Sequence, residues 1–213
     1  MLREIVFDNC HRITENGILS MIKSNPSLTT IKIAGCPEVT SQFWRILANH
    51  CSNLIELNVS RCAHIAQADN HFEAFAESCT RVEKLDFSQS RLDDSHIINL
   101  HAKTKASSKS EIPPNHPWLR LLGLRVKYID LGNCKITDEG ISHLVRQYLP
   151  NSVVNLTHLS LRNCERVTDD SLLALSESPI ATGLQHLDLS CCQKITDIGI
   201  NGLFSKPMSK ILQ

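Results

Sequence analysis

The sequence has no excess of charge of either sign, few aromatic side chains and no long apolar run. Its 22 basic and 22 acidic residues cancel to a formal charge of zero, which argues against non-specific binding to nucleic acid or to anionic membranes. Only 5% of the residues are aromatic, too few for base-stacking platforms. No apolar stretch approaches the roughly 20 residues of a membrane span. We therefore expect neither a nucleic-acid nor a membrane partner.

Signals for secretion and for catalysis are also lacking. The first ten residues, MLREIVFDNC, carry acidic residues where a signal peptide would be basic and then apolar. No glycine-rich phosphate loop, GxSxG nucleophile elbow or HExxH zinc motif occurs in the sequence. These absences predict a non-catalytic chain without a cofactor, located in the cytoplasm, the nucleus or both.

Nine cysteines are present, but they match neither a disulfide framework nor a zinc site. An odd number without a signal peptide argues against a secreted disulfide scaffold. There is no CxxC motif, and the adjacent pair Cys191 and Cys192 has poor geometry for zinc. We expect reduced thiols, and no metal site.

The positions of the cysteines reveal an internal repeat. The pattern apolar-x-x-apolar-x-apolar-x-x-Cys recurs every 26 to 30 residues, with one longer interval of 44. Its seven copies begin at Leu2, Leu28, Leu54, Val82, Val126, Leu156 and Leu184. Six copies end in a cysteine, namely Cys10, Cys36, Cys62, Cys134, Cys164 and Cys192, and the fourth copy has Ser90 in that place. Seven copies of a four-point pattern indicate a repeat architecture.

The second half of each copy predicts a helix. Five copies place a threonine three or four residues after the cysteine, where its hydroxyl can cap a helix: Thr14, Thr40, Thr137, Thr168 and Thr196. Acidic residues follow, in the first helical turn, where the helix dipole favours negative charge. One repeat is thus a strand, a turn and a helix, and stacked repeats place the strands in a parallel sheet that is stabilised by neighbouring copies.

The segments LTHLSLRNCERVTDDSLLAL and LQHLDLSCCQKITDIGINGL resemble the cysteine-containing subclass of leucine-rich repeats. The resemblance covers residues 2 to about 204. It implies an α/β solenoid, a curved horseshoe of about seven repeats with a parallel sheet on the concave side and helices on the convex side. We expect residues 1–213 to form this single domain.

The subclass is best known from F-box/leucine-rich-repeat proteins, the substrate receptors of SCF-type ubiquitin ligases, and also occurs in antagonist-of-mitotic-exit-like proteins that lack an F-box. The resemblance implies protein recognition, as the substrate-binding repeat region of such a receptor. No F-box precedes the first repeat here, so contact with a Skp adaptor and cullin would need a further N-terminal region. The alternative is a scaffold subunit of a larger ciliary or mitotic assembly.

The repeat also suggests what the cysteines do. A small, weakly polar thiol after each strand can pack inside the turn and stack on its equivalents as a ladder. Cys51 and Cys79 form a second structural set, each three residues before the next copy. Cys191 lies one place before the ladder position and is expected to face solvent; an inert surface cysteine is favoured over a reactive thiol, because no activating base is evident.

Residues between the apolar strand positions should point to the concave face. This places Tyr128, His158 and His186 in one stripe, next to a row of carboxylates formed by Asp86, Asp130 and Asp188. Such a patch predicts contact with a protein partner, such as a basic peptide segment. The alternatives are an ordinary polar surface and, with much less support, a metal site of His158, His186 and Asp188.

The long interval predicts an insertion. Residues 101–117 are rich in lysine, serine and proline and cannot bury enough apolar surface to order themselves. They are expected to form a flexible loop, either a tolerated surface insertion, a modification site or a lid. The following segment, 118–124, is interpreted as part of the linking helix rather than as an additional strand.

Overall fold

A computed structural model describes residues 1–66, 71–98, 125–146 and 155–205. Seven short parallel strands lie side by side in chain order and form one sheet. The strands are β1 Glu4–Val6, β2 Thr30–Lys32, β3 Glu56–Asn58, β4 Lys84–Asp86, β5 Tyr128–Asp130, β6 His158–Ser160 and β7 His186–Asp188. The helices between and after them are α1 Glu15–Ser24, α2 Gln42–His50, α3 His71–Ser78, α4 Asp94–Ile98, α5 Asp138–Arg146, α6 Asp169–Ser176, α7 Ile180–Gly183 and α8 Asp197–Ser205. The predicted α/β solenoid of about seven repeats is confirmed.

The strand register superimposes each copy of the sequence pattern on the next. The middle residues of successive strands are partners, as Ile5 is with Ile31 and Ile31 with Leu57. These middle residues point into the core in β1 to β6, where each of them is buried. The first and third residues of each strand therefore lie on the opposite face of the sheet, which we call the concave face.

A cluster of aromatic rings fills the core of the first half. The Trp44 ring lies 4.9 Å from that of Phe72 and 5.0 Å from that of Phe75, measured between centroids, and 5.8 Å from that of Phe87. The Trp44 indole N–H donates to the carbonyl oxygen of Ile65 over 3.0 Å. The rings thus join α2 and α3 to the end of β4, with the polar indole group satisfied.

Every strand ends in the same sharp turn. The residue directly before the ladder position has a positive φ, between 54° and 68°, in all seven repeats: Asn9, Gly35, Arg61, Gln89, Asn133, Asn163 and Cys191. Only glycine adopts this conformation at no cost. In six repeats the residue is not glycine, so the backbone is held there in a conformation that its side chain disfavours. Cys191 occupies this turn position and is exposed.

The expected insertion at 101–117 and the linking helix at 118–124 both lie outside the described residues. Within the described ranges, no helix is both long enough and apolar enough to cross a membrane.

Candidate protein-binding site

The ladder cysteines connect successive turns by hydrogen bonds. The thiol of Cys36 donates to the carbonyl oxygen of Phe7 over 3.1 Å, and that of Cys62 donates to Ile33 over 3.1 Å. The same bond to the preceding repeat recurs at Cys134, Cys164 and Cys192. Each cysteine therefore supports the turn between two repeats, behind the sheet and away from the concave face.

Burial keeps these cysteines protonated. It raises the pKa of Cys62 and of Cys134 to about 11, and that of Cys164 to about 12. In the second set, burial raises the pKa of Cys51 and of Cys79 to about 12. Because the thiolate is the nucleophile and the metal ligand, these five residues are suited to a structural role.

A second ladder, which the sequence analysis missed, joins acidic residues to the threonines of the following repeat. The Asp138 carboxylate accepts from both the backbone N–H and the hydroxyl of Thr168, each over 2.8 Å. Three further pairs repeat this arrangement: Glu15 with Thr40, Asp94 with Thr137, and Asp169 with Thr196. These hydrogen bonds lower the pKa of Asp169. The signal in the sequence was an acidic residue just after the threonine position, one repeat earlier.

The predicted helix caps hold in part. The Thr168 hydroxyl accepts from the Asp170 N–H at the start of α6. The hydroxyls of Thr40, Thr137 and Thr196 accept in the same way from the N–H groups of Gln42, Glu139 and Ile198, over 3.2 to 3.3 Å, with Ser41 as the N-cap of α2. The prediction is wrong for Thr14, which makes no side-chain cap bond to α1. The acidic residues, which were expected to act only on the dipole of their own helix, instead bridge two repeats.

The three ring side chains of the predicted stripe are brought together on the concave face. Tyr128 and His158 are register partners, as are His158 and His186. The rings of His158 and His186 are stacked, with centroids 4.2 Å apart and planes inclined by 18°. The Tyr128 ring lies 6.0 Å from that of His158. The Thr157 hydroxyl lies 2.8 Å from His158 Nδ1 and holds the middle ring in place.

The carboxylates form a row beside these rings. Asp86 and Asp130 are register partners on β4 and β5, whereas Asp188 lies two strands further on, with Ser160 between. In all three, Oδ1 accepts a backbone N–H from two residues later, over 2.8 to 2.9 Å. The turn after each strand thus fixes the carboxylate on the concave face.

Burial and neighbouring charges shift the pKa values of Asp86 and Tyr128 in this patch. Burial raises the pKa of Asp86, and the charge of Asp130 adds to this, while hydrogen bonds from Ser88 oppose it. Burial and the Asp130 charge raise the pKa of Tyr128 to about 12. The Tyr128 phenol is therefore protonated at neutral pH, and it donates to Asp130 Oδ2 over 3.4 Å.

The other half of the concave face consists of ion pairs. Lys32 Nζ lies 3.5 Å from the Glu4 carboxylate and 3.1 Å from the Glu56 carboxylate, which also lies 3.7 Å from Lys84 Nζ. The hydrogen bond to Glu56 raises the pKa of Lys32. The charges of Glu4, Lys32, Glu56 and Lys84 on β1 to β4 thus neutralise one another.

The metal alternative finds no support in the geometry. Among the residues that the structure describes, no group of three His, Cys, Asp or Glu side chains could hold a metal ion. His158, His186 and Asp188 are neighbours on the face without forming such a group.

Comparison with known proteins supports the repeat. A family model described as "Leucine Rich repeat" matches residues 126–145, 154–176 and 182–204. A chain of the crystal structure of the Rad7 and Elc1 complex in yeast has the same fold, with a TM-score of 0.64 at 16% identity. That match covers 96% of this chain but 47% of the other, so this chain spans about half of its length.

Two further solved structures are more distant. The tropomodulin C-terminal domain from Caenorhabditis elegans matches with a TM-score of 0.47 at 11% identity, covering 78% of this chain and 89% of that one. The actin-binding site 2 of leiomodin-1 matches with a TM-score of 0.47 at 17% identity, covering 80% of this chain and 90% of that one. The matched repeats, the seven-stranded parallel sheet and the Rad7–Elc1 likeness together identify the fold of this chain as a leucine-rich-repeat solenoid.

Proposed function

We propose that this chain is a non-catalytic protein-recognition module that binds a basic peptide segment on the concave face at β4 to β7. The observation that carries the proposal is the packed stripe of Tyr128, His158 and His186 beside the carboxylates of Asp86, Asp130 and Asp188. Leucine-rich-repeat domains in general serve protein interaction, and extended concave surfaces are the binding surfaces of solenoids.

The chemistry of the patch favours lysine or arginine in the partner. A cationic side chain can lie over an aromatic face while it pairs with a carboxylate beside the ring. Asp86 and Asp130 are adjacent on neighbouring strands. The charge of Asp130 contributes to the raised pKa of Asp86, and the charges of both carboxylates contribute to the raised pKa of Tyr128. A cation placed between them would relieve that repulsion, so this pair is the proposed anchor.

We further propose that the module is the substrate-binding repeat region of an F-box/leucine-rich-repeat receptor of an SCF-type ubiquitin ligase. The support is the resemblance of the repeat sequence, with its cysteine after the strand and its threonine three or four residues later. The chain would supply binding energy alone and hold the substrate where a different subunit acts on it. The likeness to a chain of the Rad7–Elc1 complex is compatible with assembly into a larger complex, although its identity is 16%.

The recognition proposal is tested with synthetic peptides. Fluorescent peptides that contain arginine or lysine, and matched peptides with glutamine at those positions, are titrated with the chain at low and high salt. We expect only the basic peptides to bind, with an affinity that falls as salt rises. The triple variant Tyr128→Ala, His158→Ala, His186→Ala should weaken binding at least about tenfold.

The matched control changes the other half of the same face. The triple variant Lys32→Ala, Glu56→Ala, Lys84→Ala removes three side chains of similar exposure from β2 to β4. It should leave the affinity for basic peptides within about twofold, because those charges already pair with one another. Equal losses in the two variants, or the absence of any preference for basic peptides, would refute the proposed site.

The ligase proposal needs a separate experiment. Partners are isolated from cells with this chain and with a version extended upstream, and identified by mass spectrometry. Skp-adaptor and cullin subunits captured only by the extended version would support the receptor. A fixed stoichiometric set of structural subunits would instead establish the scaffold function and reject the ligase role.

A further inference from the structure

A row of basic side chains runs along the loops that follow the strands. Two or three places after the ladder position each repeat has an apolar residue, and the residue directly before it is exposed in every repeat. Six of these seven exposed residues carry a basic side chain: Arg12, His64, Arg91, Lys135, Arg166 and Lys194. Glu38 interrupts the row in the first half. From the fourth repeat onward the row is continuous, and we call Arg91, Lys135, Arg166 and Lys194 the basic ridge.

Short parallel bridges outside the sheet hold the ridge loops of neighbouring repeats together. They pair Lys135, Arg166 and Lys194 each with a residue of the preceding repeat, namely Asp93, Thr137 and Thr168. The ridge residues therefore occupy equivalent backbone positions in adjacent repeats. Because neighbouring parallel strands lie about 4.8 Å apart, the four residues line about 15 Å of one edge of the solenoid.

The carboxylates nearest to the ridge in sequence bind other groups. Asp94, Asp138 and Asp169 each accept from the threonine of the next repeat, as rungs of the threonine ladder. Asp93 accepts from Ser95 and lies 2.7 Å from His96 Nδ1. Within the described residues no side chain of the ridge forms an ion pair. The ridge therefore keeps its positive charge in the folded chain.

The ridge differs in this respect from the concave face of the first half, where Lys32 and Lys84 alternate with glutamates. Like charges in adjacent repeats repel one another. The four ridge side chains are exposed, so the apolar core does not require a basic residue at these positions. A continuous row of uncompensated cations is instead complementary to an anionic partner that lies along the edge of the solenoid.

We propose that the basic ridge binds an acidic segment of a protein partner, whose carboxylates pair with Arg91, Lys135, Arg166 and Lys194. This surface is separate from the concave site proposed above for a basic segment, and neither proposal depends on the other. A protein segment is favoured over nucleic acid because the chain has no net charge. The acidic row of the concave face also lies on the strands that lead into the ridge loops, so a broad positive field for a phosphate backbone is lacking.

The proposal is tested by titrating the full chain into a fluorescent glutamate-rich peptide and into a matched peptide with glutamine in place of glutamate. We expect only the acidic peptide to bind, with an affinity that falls as the salt concentration rises. The triple variant Lys135→Ala, Arg166→Ala, Lys194→Ala should weaken this binding at least about tenfold. Its Tm should not fall, because the three side chains are exposed and repel one another.

The matched control removes the same charge from other parts of the surface. Lys23, Arg45 and Arg125 are also exposed and form no ion pair with described residues. The triple variant Lys23→Ala, Arg45→Ala, Arg125→Ala should leave the affinity for the acidic peptide within about twofold. Equal losses in the two triple variants would mean that the peptide responds only to net charge, and would overturn the proposal. A wild-type chain without preference for the glutamate peptide would overturn it equally.

Two further titrations separate the ridge from other surfaces and ligands. The variant Tyr128→Ala, His158→Ala, His186→Ala of the concave site should bind the acidic peptide as the wild type does. Loss of that binding would place the peptide on the concave face and reject the ridge as its site. Double-stranded DNA should displace the labelled acidic peptide less effectively than unlabelled peptide does. More effective displacement by DNA would make nucleic acid the ligand of the ridge and would also overturn the proposal.

Discussion

The first and second halves of this solenoid place their rings on opposite sides of the same sheet. In the first half, Trp44 and four phenylalanines pack in the core, and the concave face carries paired lysines and glutamates. In the second half, the described core residues beneath the sheet are aliphatic side chains and cysteines, and the rings of Tyr128, His158 and His186 lie on the concave face. The same backbone repeat thus carries aromatic rings in the core in one half and on the concave face in the other.

The two halves differ in what their rings can contribute: buried rings stabilise the fold, whereas rings on the surface can contact a partner. Buried rings contribute to folding through the apolar area that they remove from water, whereas exposed ion pairs contribute at most about 1 kcal/mol each. The first half therefore stabilises the solenoid from within and presents a self-neutralised surface. The second half presents rings and carboxylates, and the proposed recognition of a basic partner would be concentrated there.

The largest effect should come from removing a buried ring. Phe75 is fully buried against Trp44 and Phe72, so Phe75→Ala leaves a cavity and should lower the free energy of unfolding by about 3–5 kcal/mol. His186 is exposed on the concave face, and His186→Ala should change the free energy of unfolding by less than about 0.5 kcal/mol. Urea unfolding followed by circular dichroism measures both.

The comparison of the two halves would fail if the two substitutions had similar costs. It would also fail if Phe75→Ala, in conditions where the variant is folded, reduced peptide binding as much as His186→Ala. We expect the reverse order in a binding assay, with the large loss at His186 and little change at Phe75.

The sheet was predictable because its signal is strictly periodic. Residues such as Leu57 and Leu159 fall at a fixed distance before a cysteine, and a strand buried on one face needs that alternation. The position of Tyr128 beside His158 follows from the same register. Side-chain positions on a parallel sheet are therefore accessible from sequence once the repeats are aligned.

The threonine ladder was not predictable in this way, because its bonds join residues of different repeats. Asp138 is near the start of its own helix, and the helix dipole already gives a sufficient local reason for an acidic residue there. Its contact with Thr168, one repeat further, depends on how closely the helices pack. The same holds for Gly199, whose missing side chain is explained only by the carboxylate of Asp169.

A moderate effect is expected where the two halves meet. Ser90 takes the cysteine position of the fourth repeat, and its buried hydroxyl makes no hydrogen bond of normal geometry to the described residues, with only a weak interaction with the Cys134 thiol. Cys134 next to it remains a thiol, which donates to Phe87. Ser90→Cys restores the ladder residue, with the Val59 carbonyl at the equivalent acceptor position. Because an unsatisfied buried hydroxyl is costly, the substitution should raise the free energy of unfolding by about 1 kcal/mol in urea.

The reverse change provides the control for Ser90. Cys164 donates to Leu131 in an intact part of the ladder, so Cys164→Ser should lower the free energy of unfolding. If Ser90→Cys and Cys164→Ser both lowered the stability, the packing around position 90 would favour serine over cysteine. The thiol ladder would then not be continuous between the two halves.

The smallest effect concerns Asp86, which begins the acidic row of the second half. Its raised pKa means that the folded state is penalised when this carboxylate is ionised, by burial and by the charge of Asp130. Asp86→Asn keeps an oxygen for the Ser88 N–H and removes that charge. The variant should be slightly more stable than the wild type at neutral pH, by less than the gain expected at Ser90.

The pH dependence of that small gain decides its cause. Above the raised pKa of Asp86 the carboxylate is ionised in both folded and unfolded chains, and the full penalty applies. As the pH falls through this pKa and then through the unfolded value near 4, both states become protonated and the gain of Asp86→Asn should vanish. A gain that is constant with pH would mean that packing, not charge, distinguishes the two residues. If the charge is the cause, Asp86→Asn should also weaken the binding of basic peptides. The repulsion between Asp86 and Asp130 destabilises the folded chain, and a basic partner would relieve that same repulsion.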